Sequence, residues 1–105
     1  MSNIHRGESI ITLSGKQYLM RGTFQALCEI EQESARSLLN LLLDIEQRGI
    51  TLNEQKIIIN AAIRAAGGLP PNNLEDEILI SGVVNTAASV MQFLFNAIGG
   101  ENASK

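Results

Sequence analysis

Few side chains in this sequence have the types and spacing that chemistry requires. A general acid or base works beside a second titratable group. The one histidine, His5, stands near the start of the chain, where chains fray and side chains face solvent. Cys28 is the only cysteine. No histidine follows it to act as a base for a thiolate. It shares a helical face with Phe24, Leu27 and Glu31, so it is expected to be buried as a small hydrophobe. Ser14-Gly15-Lys16 ends like a phosphate-binding loop but lacks the upstream glycine and a Ser or Thr after the lysine. It reads as a hairpin turn. Glu29, Glu31 and Glu33 fall two apart, a spacing at which helical residues do not face one another, so they read as a solvated face and not a metal site. The Glu75-Asp76-Glu77 run suits the positive start of a helix. No catalytic residue, cofactor or metal site is expected, and the chain reads as non-enzymatic.

The residues that must form a framework are more informative. At 105 residues a single domain is the prior, and 45% hydrophobic content is that of a globular chain. Aromatic residues are limited to Tyr18, Phe24, Phe93 and Phe95, so the core must be mostly Leu, Ile, Val and Ala. A net charge of −3 makes nucleic acid a poor partner. His5, Arg6, Lys16 and Arg21 lie early and the acidic residues later, a segregation that solvated faces explain. A lone cysteine permits no internal disulfide and fits a reducing compartment. The opening MSNIHRGE lacks the apolar core of a signal peptide. Residues 78–100 carry no charge, but Ser81, Asn85, Thr86, Ser89, Gln92 and Asn96 would be penalised in hydrocarbon, so a core helix is expected there and no membrane partner. These features suggest a cytoplasmic location.

A β-branched run, 8–13, and a second short run, 16–21, with Tyr18, Leu19 and Met20, flank Ser14-Gly15 and predict a β-hairpin with Ile11 and Leu13 on one face and Ile10 and Thr12 on the other. Gly22 ends it. Thr23 is placed to cap a first helix over 24–32. Ser34 is then expected to cap a second helix over 35–48, with Leu38, Leu41, Leu42 and Ile45 as its stripe and Leu39 and Leu43 widening it. Gly49 fits its end. Thr51-Leu52-Asn53-Glu54 has the form of a capping box and opens a third helix over 52–66. Gly67-Gly68 and Pro70-Pro71 form a connector, and Asn72 or Asn73 caps the next segment. At Ser81-Gly82 the chain either bends or breaks; the break, giving a short helix over 74–80, is preferred. The stretch 82–98 is expected to be the central helix, with Val84, Ala87, Ala88, Met91, Leu94, Phe95 and Ile98 in one row and Val83, Ala87, Val90 and Leu94 beside it. The architecture is therefore mainly α (α+β): an N-terminal β-hairpin (8–22), then a compact bundle of four to five helices (23–98), with 1–7 and 99–105 flexible.

These helices carry more apolar residues than a small bundle can absorb. Phe93 and Phe95 diverge by about 200° on a helix, so one of them is expected to meet solvent or a partner. Leu39, Leu43, Ile57, Met91, Phe93, Phe95 and Ile98 are the candidate partner-binding residues. Self-association through the second or the last helix is expected.

Arg6-Gly7-Glu8, Leu13-x-Gly15, Tyr18, Arg21 and Thr23-Phe24-x-Ala26-Leu27-x-x-Ile30-Glu31 resemble the start of a family of small tail proteins of phages and gene transfer agents. Ser37-Leu38, Ala62-x-Arg64-Ala65-Ala66-Gly67 and a terminal Phe93-Leu94 helix continue the likeness over residues 6–98. Where that family often carries a glycine between its first two helices, this chain has Ser34-Ala35-Arg36. The resemblance implies a non-enzymatic, chaperone-like tail assembly factor, encoded in a prophage or gene transfer agent, that binds the tape measure or tail-tube subunits. The alternatives are a structural subunit retained in the finished tail, hence virion-associated, and a small helical regulatory or DNA-binding protein. For the last, Lys56 and Arg64 are the only cations on the third helix, a weak footprint for phosphates.

Overall fold

The computed structural model describes residues 7–99, and the readings of His5 and of fraying at 1–6 and 100–105 lie outside that range. Strands β1 (Glu8–Leu13) and β2 (Lys16–Arg21) pair antiparallel, with Leu13 opposite Lys16 and Glu8 opposite Arg21. The Ser14-Gly15 turn has positive φ at both residues, 50° and 82°, the mirror-image geometry whose twist matches the flanking strands. The pleat then buries Ser9, Ile11, Leu13 and Met20 on one face, while Thr12 and Gln17 point outward.

Helix α1 spans Phe24–Ser34, with the Thr23 hydroxyl accepting the Ala26 N–H at 3.1 Å. It runs past the expected end. Ala35 terminates it in the left-handed region at φ 59°, ψ 34°, a conformation that costs an L-residue about 1 kcal/mol and suits glycine. Consequently Ser34 does not cap the second helix. Helix α2 begins three residues later than expected and covers Leu38–Arg48, with Ser37 accepting the Asn40 N–H. Glu31 holds this junction from both ends: its carbonyl accepts the Arg36 N–H and its carboxylate accepts the Leu38 N–H at 2.9 Å. Helix α2 buries only Leu41 and Ile45, and the widening pair Leu39 and Leu43 stays exposed.

Helix α3 (Leu52–Ala65) starts at the expected capping box, where the Thr51 hydroxyl accepts the Glu54 N–H and the Glu54 carboxylate accepts the Thr51 N–H. It is the element the others share. It packs against α1 (and through it α2), against β2, and against the last two helices, and it buries Gln55, Ile58, Ile59, Ala61, Ala62 and Ile63. The expectation that 82–98 alone forms the centre is corrected accordingly: its helix lies mainly on β1 and reaches α3 along one side.

Helices α4 (Leu74–Ser81) and α5 (Val83–Ile98) meet at Gly82 with a bend of 107°, so the chain breaks there. Asn73 occupies the cap position of α4 without a side-chain capping bond, and Asn72 lies outside the helix. The acidic run occupies the first turn of α4 as expected. The buried face of α5 is Thr86, Val90, Phe93 and Leu94, not the row through Val84, Ala88 and Phe95. The phase is turned because the Thr86 hydroxyl has a buried partner, Gln55, at 2.6 Å and so can face inward. Near its end α5 presses on the exit of the hairpin, where a Cβ on Gly22 would lie 2.5 Å from that of Ala97.

Candidate functional site

The side chains considered for chemistry are spread apart. Cys28 is exposed, contrary to expectation, because α1 turns Ala26 and Ile30 inward and leaves both Phe24 and Cys28 in solvent. Two of the three alternating glutamates are not simply solvated. Glu29 pairs with Arg64 on α3, and Glu31 holds the α1–α2 turn. Among the described residues no group of three His, Cys, Asp or Glu side chains could hold a metal ion. Lys56 lies 2.8 Å from Glu75, and that hydrogen bond, with the lysine's charge, holds the Glu75 carboxyl below the usual carboxylate range.

Burial works against ionisation of Glu54. The hydrogen bond from Arg48 and the Thr51 N–H outweigh it and leave the Glu54 pKa lowered. The same pair raises the pKa of Arg48. Of the six Lys and Arg side chains among the described residues, Arg21, Arg36, Arg48, Lys56 and Arg64 form ion pairs, and Lys16 lies 5.4 Å from the centre of the Tyr18 ring. The short separations make these local pairs, each used to tie two elements or two ends of one turn.

What the surface offers instead is apolar. Of the expected partner-facing residues, Leu39, Leu43 and Phe95 are exposed, at 65%, 55% and 48%. Ile57, Met91 and Ile98 are half-buried and packed against the core, so most of their surface is already used. Phe93 is fully buried and is removed from the set; of the two phenylalanines on α5, it is Phe95 that meets solvent.

A further apolar feature, which helical periodicity does not mark, lies between α3 and α4. The start of α3 and the outer face of α4 enclose a groove of about 290 Å³, lined by Leu52, Asn53, Lys56, Glu75, Ile78 and Leu79. Asn53, Lys56 and Glu75 are the polar members, and Lys56 and Glu75 pair with each other. Leu52 and Leu79 are both more than half exposed. Immediately after Leu79, the elbow presents Ile80, Val83 and Val84 to solvent, with Val84 82% exposed. One signal for this lay in the sequence: Ile80 and Val84, four apart, straddle the Ser81-Gly82 break. A helix ending there cannot aim both at one core.

No family model, curated protein or solved structure matches this chain.

Proposed function

We propose that this chain is a non-enzymatic assembly factor that holds an apolar helix of a protein client. The client class follows from the resemblance to small phage and gene-transfer-agent tail proteins: a tape measure or tail-tube subunit before assembly. The observation that carries the reading is the groove between α3 and α4, walled by Leu52, Ile78 and Leu79. A groove between two helices takes the apolar side chains of a third at positions i, i+3 and i+4. The Lys56–Glu75 pair at its rim offers a polar contact that could fix the direction of the guest. Leu39, Leu43 and Phe95 add apolar surface elsewhere. The ion-paired cations leave few charges for phosphates, which favours a protein client over nucleic acid.

Co-expression with the coiled-coil tape-measure protein of the same gene neighbourhood tests this. The wild type should co-purify with it and raise its soluble yield. The double variant Leu52→Glu/Leu79→Glu places charges in the groove at exposed positions and should keep its fold while losing the client. Failure of the wild type to co-purify, or equal co-purification of the variant, overturns the proposal.

A further inference from the structure

The elbow between α4 and α5 leaves two kinds of interaction unmade. The first is backbone pairing. Gly82 closes α4 by donating to the carbonyls of Ile78 and Leu79, and Thr86 is the first residue of the next ladder, donating to Gly82. Between them, the N–H groups of Val83, Val84 and Asn85 start α5 with no capping side chain. In an uninterrupted helix they would bond the carbonyls of Leu79, Ile80 and Ser81. The Asn85 side chain already reaches back to the Ser81 carbonyl at 3.1 Å, substituting for its own N–H. The second is apolar burial. Carried on as one helix, Ile80, Val83, Val84 and Ala87 fall at i, i+3, i+4 and i+7, a single stripe. The bend splits this stripe and leaves Ile80, Val83 and Val84 in water.

A single residue enforces the bend. Gly82 sits at φ 99°, ψ 119°, a conformation open to glycine and closed to other residues. The flanking segments are both helical, and no other residue between Leu74 and Ile98 leaves helical geometry.

We propose that α5 exchanges between two copies of this chain by straightening at Gly82. In the exchanged dimer α4 and α5 form one continuous helix that bridges the two bodies. Each α5 lays Val90, Phe93 and Leu94 into the core of the other copy and makes the Thr86–Gln55 hydrogen bond there, so the contacts of the single chain are repeated between chains. The dimer adds the three backbone bonds and a new contact in which the two stripes of Ile80, Val83 and Val84 cover each other. The occupant of this face is therefore a second copy. The inference rests on the elbow and stands apart from the client groove; an exchanged dimer that binds no client would leave it intact.

Gly82→Ala is the decisive variant. Alanine is strained at the bent φ and is a better residue than glycine in a helix interior, a combined preference of about thirtyfold per chain, so the dimer association constant should rise about a thousandfold. Val83→Pro is the opposite variant. Proline is welcome in the first turn of α5 but has no N–H for the Leu79 carbonyl and clashes with it in a continuous helix, so it should hold the chain as a monomer.

Each protein is refolded from urea at high concentration and sized by light scattering. A Cys28→Ser background with spin labels at Asp76→Cys and Gln92→Cys, diluted with unlabelled chain, reads the elbow directly. With a rise of 1.5 Å per residue, the backbone separation is about 15 Å across the 107° bend and about 24 Å when straight. The expected result is a wild-type dimer fraction with the long separation, enlarged in Gly82→Ala and absent in Val83→Pro. A wild type that stays monomeric throughout overturns the proposal, as does a dimer that keeps the short separation. Should Gly82→Ala fail to fold, Val83→Pro decides: a dimer fraction equal to that of the wild type overturns it.

Discussion

Replacing Thr86 by valine removes one hydroxyl from the interior and alters almost nothing else. Thr86 and Gln55 are 1% and 0% exposed, and the hydroxyl donates to the Gln55 Oε1 at 2.6 Å. Valine has nearly the same shape, so no cavity opens, and its helix propensity is close to that of threonine. What changes is that the Gln55 carbonyl oxygen loses its donor while still buried. An unsatisfied buried acceptor costs about 1–3 kcal/mol, so Thr86→Val should destabilise by about 2 kcal/mol. Gln55→Leu acts differently. The Thr86 hydroxyl can turn to the Val83 carbonyl at 3.1 Å or the Gly82 carbonyl at 3.3 Å, so nothing on α5 is orphaned except the long amide contact to Val83 at 3.4 Å. A cost of about 1 kcal/mol is expected for it. The double variant leaves no polar group stranded and should cost about 1 kcal/mol as well, so the pair is coupled by about 2 kcal/mol.

Urea unfolding followed by circular dichroism measures all four proteins, with an unchanged m-value required for the comparison. In a thermal melt, the same Thr86→Val penalty should lower Tm by about 10 °C. Costs that add to within about 0.5 kcal/mol would refute the reasoning, because they would mean that the two side chains do not depend on each other.

Three further outcomes are expected. Phe93→Ala removes a fully buried ring and should cost about 3–5 kcal/mol in urea unfolding, while Phe95→Ala on the half-exposed side of the same helix should cost about 1 kcal/mol or less. Ala35→Gly relieves the left-handed residue that ends α1 and should stabilise by about 0.5 kcal/mol, the strain relief of about 1 kcal/mol being offset in part by a more flexible unfolded chain. Glu54 has a lowered pKa in the fold, so its carboxylate stabilises the protein above the ordinary glutamate range and that contribution is lost as pH falls through the folded value. Stability curves of the wild type and Glu54→Gln against pH should therefore lie apart near neutrality and converge in acid; parallel curves would deny the Arg48–Glu54–Thr51 arrangement that role.

Local signals in the sequence located most of the framework. Ser14-Gly15 between two short runs, Thr23 before α1 and Thr51 with Glu54 before α3 each specify a geometry within four residues, and each is found as expected. Gly49 also ends α2, although at φ 87°, ψ 168° and so outside the left-handed helical region. The readings that failed depend on something distant. Ser34 looked like a cap because Ala35 gave no sign that it would adopt a positive φ; the Glu31 carboxylate, which accepts the Leu38 N–H, helps hold that turn. Cys28 reads as buried because the periodicity of α1 allows either face, and only the packing of α3 selects Ala26 and Ile30.

The rotation of α5 shows why apolar surplus could be anticipated while its location could not. Counting apolar residues says that some must remain outside, since one face of each helix is all that a bundle of this size can cover. Which face turns inward is decided by the most demanding neighbour, and for α5 that neighbour is the Gln55 amide, which has to be satisfied if it is to stand in the core. Meeting it brings Thr86 inward, carries Val90, Phe93 and Leu94 with it, and sends Val84 and Phe95 out. The apolar surface on α5 is then the geometric remainder of a buried polar contact. If so, a chain in which both Gln55 and Thr86 are made apolar loses that constraint on the helix's rotation while keeping its core volume, and the exposure of Val84 and Phe95, read by the quenching of probes attached there, should become less sharply defined before global stability is lost.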